Sequence, residues 1–346
     1  MLPAYNDMHH RHGGSAWPLR MSPGHMATAM GMTTRQRKSL LKNVLQGVLL
    51  LCVLLPLWLL FSANHSEGVS QTSGAAVLAG ATGLFSGAGK RGRKMMDQLP
   101  PPAAHLKNLI LVAGHAVFVG TDYHAAQYES SWFLEEYQKV PGEAQSFVDH
   151  IALGVKEASR DPTAMLLFSG GQTRRAAGPR SEGLSYWVVA EAASWFNASN
   201  ADSVRNRTFT EEHARDSFEN LLFSLCRFYE LTGHYPEHIT VVSYTLKRDR
   251  FTSLHRAALR WPVANFDFVG TPVPPAAQGA QEGEARTVAA FKQDPYGCSG
   301  DLLNKKLGRD PFAVGPIHPS RCPEMKGLLQ HCSPYMFEGR LPWAKE

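Results

Sequence analysis

The sequence predicts an α/β protein with a mainly parallel sheet covered by helices on both faces, together with one N-terminal transmembrane helix. Short apolar runs alternate with longer segments whose apolar residues recur at helical spacing. Upstream of them, residues 44–62 form an uncharged apolar run of 19 residues. A run of this length crosses a lipid bilayer as a helix.

The first half of the folded part, which we expect at residues 105–272, contains two strands and a helix. Residues 109–113 (LILVA) and 164–168 (AMLLF) are short, continuous apolar runs that end next to Gly or Ser-Gly-Gly. Such runs are typical of buried parallel strands. Between them, residues 144–158 have apolar side chains at helical spacing. A strand–helix–strand unit of this kind predicts parallel pairing.

The second half repeats the pattern. Residues 181–196 and 215–231 predict helices, because each has its large apolar side chains on one stripe. Residues 239–243 (ITVVS) predict a third strand, and residues 250–260 predict the helix that follows it. A fourth strand is predicted at residues 266–269.

The flanking segments have different compositions. Residues 1–43 predict a disordered cytosolic tail, because they are rich in Met, His, Gly and Ser without periodicity. Residues 63–104 are rich in small residues and predict a stem between the membrane and the domain. Residues 273–346 are expected to form an irregular extension containing Pro, Gly and Cys that wraps the domain.

Charges beside the apolar run predict its orientation. The twenty residues after it carry only Glu67, whereas its N-terminal flank is basic, with Arg35, Arg37, Lys38 and Lys42. The positive-inside rule keeps the N-terminus cytosolic and places the rest in the lumen. More than forty residues precede the run, which favours an uncleaved anchor over a cleaved signal peptide. We therefore expect a single-pass type II membrane protein of the endoplasmic reticulum or Golgi.

Glycosylation sequons and cysteines agree with a lumenal domain. Asn197 and Asn206 begin sequons that we expect to carry sugar, whereas the sequon at Asn64 is expected to lie too close to the bilayer. Two of the three C-terminal cysteines could pair in an oxidising lumen, or all could stay reduced; they are Cys298, Cys322 and Cys332. Cys226 is expected on the apolar face of a helix.

The charge distribution argues against a nucleic-acid partner. The formal net charge is +5 and the isoelectric point is about 8.9. Nucleic-acid binders concentrate Lys and Arg in a stripe with interleaved aromatic residues, and this sequence has no such stripe. The basic run at residues 90–94 lies in the stem and is interpreted as a solvated linker. No metal site is predicted.

The loops after the first two strands are candidate anion-binding positions. Gly114 and His115 follow the first strand, and Ser169, Gly170 and Gly171 follow the second. Glycines there bring backbone N–H groups close to an anion, beside a helix N-terminus. An ordinary strand-to-loop turn and an ordinary loop histidine remain the alternative interpretation.

The starts of two helices add polar candidates. Glu182 follows Ser181, a good helix cap, so capping alone also explains this pair. Ser217 and Asn220 share one line of the next helix. Carboxylates near that helix start are Glu211, Asp216 and Glu219. They predict either a polar wall at the carboxyl edge of the sheet or a solvated helix face.

Cations follow the third strand. Ser243 ends that strand, and Lys247, Arg248 and Arg250 come within the next seven residues. Arg binds phosphate or carboxylate through two hydrogen bonds, and Lys acts as a point charge. Because parallel strands end at one edge of a sheet, we expect these candidates to line one crevice. An ordinary charged first turn of a helix is the alternative.

These motifs, in this order, resemble the YdcF/SanA/ElyC-like family, the domain of unknown function 218, especially its membrane-anchored fungal branch. The resemblance covers residues 105–272 and implies a Rossmann-like fold. It also implies S-adenosylmethionine as a possible ligand and a link to envelope integrity. Lys247 stands where the family usually has His, so a proton shuttle at that position is replaced by a cation.

Two functions remain open from the sequence. The first is a lumenal domain that binds a small anionic ligand, phosphate-bearing or nucleotide-like, with or without catalysis on that ligand. The second is a non-catalytic domain that binds a glycan, a lipid head group or a partner protein. The chain lacks a spaced G-x-G-x-x-G fingerprint, so NAD or FAD is not expected.

Overall fold

The computed structural model describes residues 100–344, so the predicted tail, the membrane run at 44–62 and most of the stem lie outside the described residues. Seven strands occur in this part: β1 (Asn108–Ala113), β2 (Val117–Phe118), β3 (Trp132–Phe133), β4 (Ala164–Ser169), β5 (Thr208–Glu211), β6 (His238–Tyr244) and β7 (Phe266–Thr271). Within residues 100–344 no helix is both long enough and apolar enough to cross a membrane.

Five of the strands form one parallel sheet with the order β5-β4-β1-β6-β7. Counted among the sheet's own strands, this is the order 3-2-1-4-5 of a Rossmann-like fold. The predicted α/β class and the parallel pairing are therefore confirmed. The short strands β2 and β3 pair separately in an antiparallel ribbon.

The described part of the chain also contains eight α-helical segments: α1 (Glu143–Arg160), α2 (Glu182–Ala192), α3 (Ala201–Asn206), α4 (Ser217–Thr232), α5 (Arg256–Ala258), α6 (Ala280–Gln293), α7 (Gly300–Gly308) and α8 (Lys326–Leu329). A π-helical segment, Arg250–His255, leads directly into α5. Helices α1, α2 and α4 lie where the sequence predicts them, with ends that differ by a few residues.

Alternating side chains of the central strands fill two apolar layers. Ile110 and Val112 of β1 pack with α1 and α2 on one face of the sheet. Leu109 and Leu111 pack with α4 on the other face. Because both faces are buried, the strands read as continuous apolar runs rather than as an alternating pattern.

Two local differences from the sequence prediction have physical causes. Strand β5 (TFTE) was not predicted, because a short edge strand with polar residues lacks a continuous apolar run. The helix predicted at residues 181–196 ends at Ala192. Residues 194–197 have positive φ angles between 50° and 54°, including Trp195 and Phe196, and a right-handed helix cannot pass through them.

The C-terminal extension is more ordered than its composition predicts. It contains helices α6, α7 and α8, so the expectation of an irregular extension is wrong for these segments. Its buried side chains join the core on the α4 side; they include Phe291, Leu302, Met325, Leu328 and Leu341. These apolar residues are widely spaced among Pro, Gly and charged residues, which hides their periodicity in the sequence.

Two disulfides hold this extension. Cys226 of α4 pairs with Cys322, and Cys298 pairs with Cys332. The second pairing is among those that the sequence left open. The first corrects the interpretation of Cys226 as an apolar helix residue alone, because the apolar face of α4 is the surface on which the extension packs.

Candidate functional site

The strand order places the topological switch point of the sheet between β1 and β6, and the region at the carboxyl ends of these two strands is called the crevice below. From β1 the chain first builds the sheet toward β4 and β5, and then crosses back to add β6 and β7 on the other side. Ligands of open α/β sheets bind at such a switch point, outside the carboxyl ends of the strands. Here His115 follows β1, and Ser243 and Tyr244 end β6.

His115 is the centre of a polar cluster at this point. Its Nε2 lies 3.2 Å from Ser243 Oγ, and its Nδ1 lies 3.4 Å from Lys247 Nζ. The half-buried imidazole stacks on the ring of Tyr244, with ring centres 5.0 Å apart, and meets the edge of His150 at 5.1 Å. These contacts on both ring nitrogens and on the ring face fix its orientation.

Residues that the sequence analysis missed support this cluster. The hydroxyl of Tyr244 donates to Glu143 Oε1 at 3.0 Å, and Lys247 Nζ lies 5.2 Å from the centre of the Tyr244 ring. His150 Nε2 and Thr271 Oγ1 are 2.7 Å apart. A usable signal existed for His150, which interrupts the apolar stripe of α1 between Phe147 and Ile151.

Burial keeps this cluster weakly charged. It lowers the pKa of Lys247 to about 7, and the nearby positive charge of Arg250 acts in the same direction. Burial also holds the pKa of His115 well below its usual value, and Lys247 lowers it further. The pKa of His150 falls to about 3 for the same two reasons, burial first. The crevice therefore combines two neutral histidines with a lysine that titrates near neutral pH.

The ammonium form of Lys247 favours one tautomer of His115. A neutral imidazole has one N–H. When Lys247 is an ammonium it donates to Nδ1, so Nε2 carries the proton and donates to Ser243 Oγ. A neutral Lys247 amine can also accept, which makes the second tautomer available: Nδ1–H then donates to the amine and Nε2 accepts from the Ser243 hydroxyl. The three side chains thus have the geometry of a proton relay.

Arg250 adds a second cation beside Lys247. It is 8% exposed and begins the π-helical segment, a distortion that is frequent at functional sites. Its Nη2 lies 2.9 Å from Oε2 of Glu284, a residue of α6. Arg250 Nε and Glu284 Oε1 are buried without a hydrogen-bond partner. Arg250 is predictable from the cations that follow β6, whereas the Pro/Gly-rich segment before α6 conceals the helix that carries Glu284.

The predicted Ser169 loop forms a network of its own. Ser169 Oγ donates to Glu211 Oε2 at 2.5 Å, and Asn220 Nδ2 donates to the carbonyl and hydroxyl oxygens of Ser169 at 3.0 and 2.9 Å. Glu211 Oε1 accepts from the backbone N–H groups of His213 and Ala214. Burial raises the pKa of Glu211 to about 7. These residues tie β4, β5 and α4 together beside the crevice.

The glycines of the predicted anion loops are used for packing. The N–H groups of Gly114, Gly170 and Gly171 donate to backbone carbonyls at 2.7, 3.0 and 2.7 Å. A Cβ atom on Gly114 or Gly170 would lie 2.7 or 2.8 Å from the Cβ of Glu182, so these glycines allow α2 to approach the sheet. An anion would have to replace the carbonyl partners, and a ligand-binding role for these glycines stays a prediction.

Glu182, Asp216 and Glu219 are neutralised within the protein. Glu182 accepts from Thr173 Oγ1, and Arg174 Nη2 lies 4.0 Å from the same oxygen. Glu219 accepts from two guanidinium nitrogens of Arg215 at 2.7 and 2.9 Å. Lys306 Nζ lies 3.3 Å from Asp216 and 3.5 Å from Glu219. Asp216 also caps α4 through the N–H of Glu219.

The remaining candidates separate into two positions. Ser217 Oγ lies 2.8 Å from Nε2 of His255, a buried residue of the π-helical segment. This pair is distinct from the His115 cluster. Arg248 is exposed, donates to the carbonyl of Phe268 and stacks on that ring. It does not share in the contacts of the crevice, so the three predicted cations do not act as one set.

Glycosylation of the two predicted sequon residues stays a prediction. Asn197 and Asn206 are both exposed. Among residues 100–344 no three His, Cys, Asp or Glu side chains are arranged to hold a metal ion.

Comparison with known proteins gives little further information. No protein-family model and no solved structure matches the chain. The chain is similar to an uncharacterized protein of Saccharomyces cerevisiae, with 27% identity over 254 residues. That alignment covers 59% of this chain and 84% of the yeast protein. The similarity carries no activity to this chain.

Proposed function

We propose that the domain binds a small anionic ligand, phosphate-bearing or nucleotide-like, in the crevice between β1 and β6. The observation that carries the proposal is that Lys247 and Arg250 both follow β6 directly, at the switch point of the sheet. Burial, and after it the positive charge of Arg250, lowers the pKa of Lys247 to about 7. An anion in contact with both would offset this repulsion, and water would be excluded from the contact.

A second candidate function is catalysis on that ligand. The contacts of His115 with Ser243 and Lys247 favour it. If the Lys247 ammonium turns from His115 Nδ1 to an anionic group, that nitrogen keeps a free lone pair while Nε2–H still donates to Ser243. His115 would then be a base directed at the ligand. Ser243 is fully buried and acts as a positioning residue for His115 in this scheme.

Identification of a co-purified ligand tests both candidates and the non-catalytic alternative. The lumenal part is purified under mild conditions and examined by native mass spectrometry, followed by denaturation and analysis of the released molecules. We expect a phosphate-bearing compound at near-equal molar ratio. S-adenosylmethionine, implied by the family resemblance, is included among the standards. Recovery of a glycan or a lipid instead would favour the non-catalytic function.

Substitution of Lys247 provides the matched test. Lys247→Gln should weaken binding of the identified ligand by about a hundredfold, because truncating one partner of a buried charge pair costs roughly 2–5 kcal/mol. Arg248→Gln removes a cation one residue away that points out of the crevice, so it should leave the affinity unchanged. Equal affinities for the two variants, measured by calorimetry, would exclude this crevice as the binding site.

A further inference from the structure

The ion pair between Arg250 and Glu284 is buried but incomplete. The two side chains are 9% and 11% exposed, and one contact of 2.9 Å joins Nη2 to Oε2. Arg250 Nε and Glu284 Oε1 lie in the interior without a hydrogen-bond partner. A buried donor that stays unpaired costs free energy, so this arrangement is not the best one available to either side chain.

The guanidinium group indicates what would complete it. Nε and Nη2 lie on the same edge of the guanidinium plane, and this edge binds two oxygens of one phosphate or carboxylate. Glu284 uses only one of these two donors. A tetrahedral oxyanion placed against the same edge would satisfy both. The positive charge of Arg309 acts on both Arg250 and Lys247, and the charge of Arg250 acts on Lys247. These neighbouring positive charges increase the attraction for a dianion.

Glu284 is free to leave Arg250 without unfolding its helix. It lies on the second turn of α6; its neighbour Ala285 is exposed, as is Glu282 two positions earlier. Rotation about its own side-chain bonds would move the carboxylate of Glu284 away from Arg250 while the helix stays formed.

We propose that Arg250 is the subsite for the phosphate group of the ligand, and that Glu284 occupies this subsite in the ligand-free protein. Binding exchanges the single contact with Glu284 for two hydrogen bonds to phosphate oxygens. The inference rests on the proposed function, since it concerns the same crevice. The carboxylate of Glu284 then competes with the ligand for Arg250. This competition sets the affinity of the site and favours dianionic groups over carboxylates.

The test uses inorganic phosphate as the probe, titrated into the full chain in detergent at low ionic strength. Removing the competing charge with Glu284→Gln should tighten phosphate binding about tenfold, the equivalent of one charge-assisted hydrogen bond. Glu282→Gln changes an exposed carboxylate on the same helix and should have no effect. Adding Arg250→Gln to Glu284→Gln should abolish the gain.

A second measurement guards against a variant that folds poorly. In the wild-type protein, phosphate should increase amide hydrogen exchange in residues 280–293, because α6 loses its contact with Arg250. Equal phosphate affinity of wild type and Glu284→Gln, with exchange unchanged, would overturn the inference while leaving the anion site intact, provided that Lys247→Gln still weakens binding. If phosphate binds to none of the proteins, both the inference and the proposed function fail.

Discussion

Lys247 makes binding of an anion depend on pH. Its pKa is lowered to about 7 in the free protein, and an anion beside it would raise that pKa, so binding takes up a proton above neutral pH. Affinity should be constant below pH 7 and should fall by up to about tenfold per pH unit above it. Sulfate is a suitable probe because its own charge is constant from pH 6 to 9.

The variant Lys247→Gln should bind sulfate weakly at every pH. Calorimetry in buffers of different ionisation enthalpy measures the proton uptake directly. Wild-type affinity that stays level from pH 6 to 9, without proton uptake, would show that Lys247 does not contact the anion.

Glu211 makes the free energy of unfolding depend on pH between 4.5 and about 7. Its pKa is raised from 4.5 to about 7 in the folded protein, so the folded state favours the protonated carboxyl. The resulting stabilisation is fully present below pH 4.5 and is lost as the pH rises through 7. It amounts to about 3 kcal/mol across this interval, taking 1.36 kcal/mol per pKa unit.

Glu211→Gln should remove this contribution to the pH dependence, because Gln remains neutral. Urea unfolding at pH 5 and pH 8 gives the free energies to compare, with Glu237→Gln, an exposed carboxylate, as the control. The slope of stability against pH should change for Glu211→Gln alone. An unchanged slope would mean that Glu211 is ionised in the folded state at pH 5.

Among the structural elements, the buried strands were the most predictable from sequence. β1 and β4 are nearly continuous apolar runs because both of their faces are covered. β5 lies at an edge, and α6 to α8 contribute single apolar residues to a core formed mostly by other segments. Local periodicity cannot reveal such elements, because their partners are distant in the chain.

The candidate site was predictable to the extent that it lies at strand ends. Ser169, Ser243 and His115 were found because each follows an apolar run. Glu143, His150 and Glu284 come from helices that reach the crevice from outside the sheet. Their positions depend on helix packing angles, which a sequence pattern does not specify.

The disulfide between α4 and the C-terminal extension should contribute strongly to stability. Cys226 and Cys322 are fully buried and are separated by 96 residues. Closing a loop of this length restricts the unfolded chain, and loss of the bond typically costs about 2–5 kcal/mol. Cys226→Ala combined with Cys322→Ala should reduce the free energy of unfolding by this amount. Urea titration with and without reductant checks it: if wild type loses nothing on reduction, the bond is not formed in solution.

At the scale of the whole molecule, the boundaries of the folded unit differ from those suggested by composition. Ala103 and Leu106 are buried, and Trp343 donates to the carbonyl of Leu259. A fragment of residues 105–272 lacks the extension that covers α4 and exposes its apolar face. We expect this fragment to aggregate, whereas residues 100–344 should be soluble without detergent. Size-exclusion chromatography of both fragments decides; a monomeric 105–272 fragment with cooperative unfolding would contradict this boundary.

The orientation in the membrane remains a proposal from residues 35–67. Endoglycosidase should increase the electrophoretic mobility of the expressed protein, because Asn197 and Asn206 are exposed and would face the lumen. Substituting both with Gln should remove the shift. In sealed microsomes, added protease should leave the domain intact. Digestion of the whole domain under these conditions would reverse the proposed topology.

The contact between α4 and the extension also bears on how the protein is made. The extension meets α4 through Cys322, through Arg321 on Glu230 and through Glu324 on Tyr229. During synthesis these residues emerge about ninety positions after α4. Until then the part of α4 that the extension covers stays exposed, and such apolar surfaces aggregate or are held by chaperones. The nascent domain should therefore depend on chaperones and on a disulfide-forming enzyme until its distant partner segment arrives.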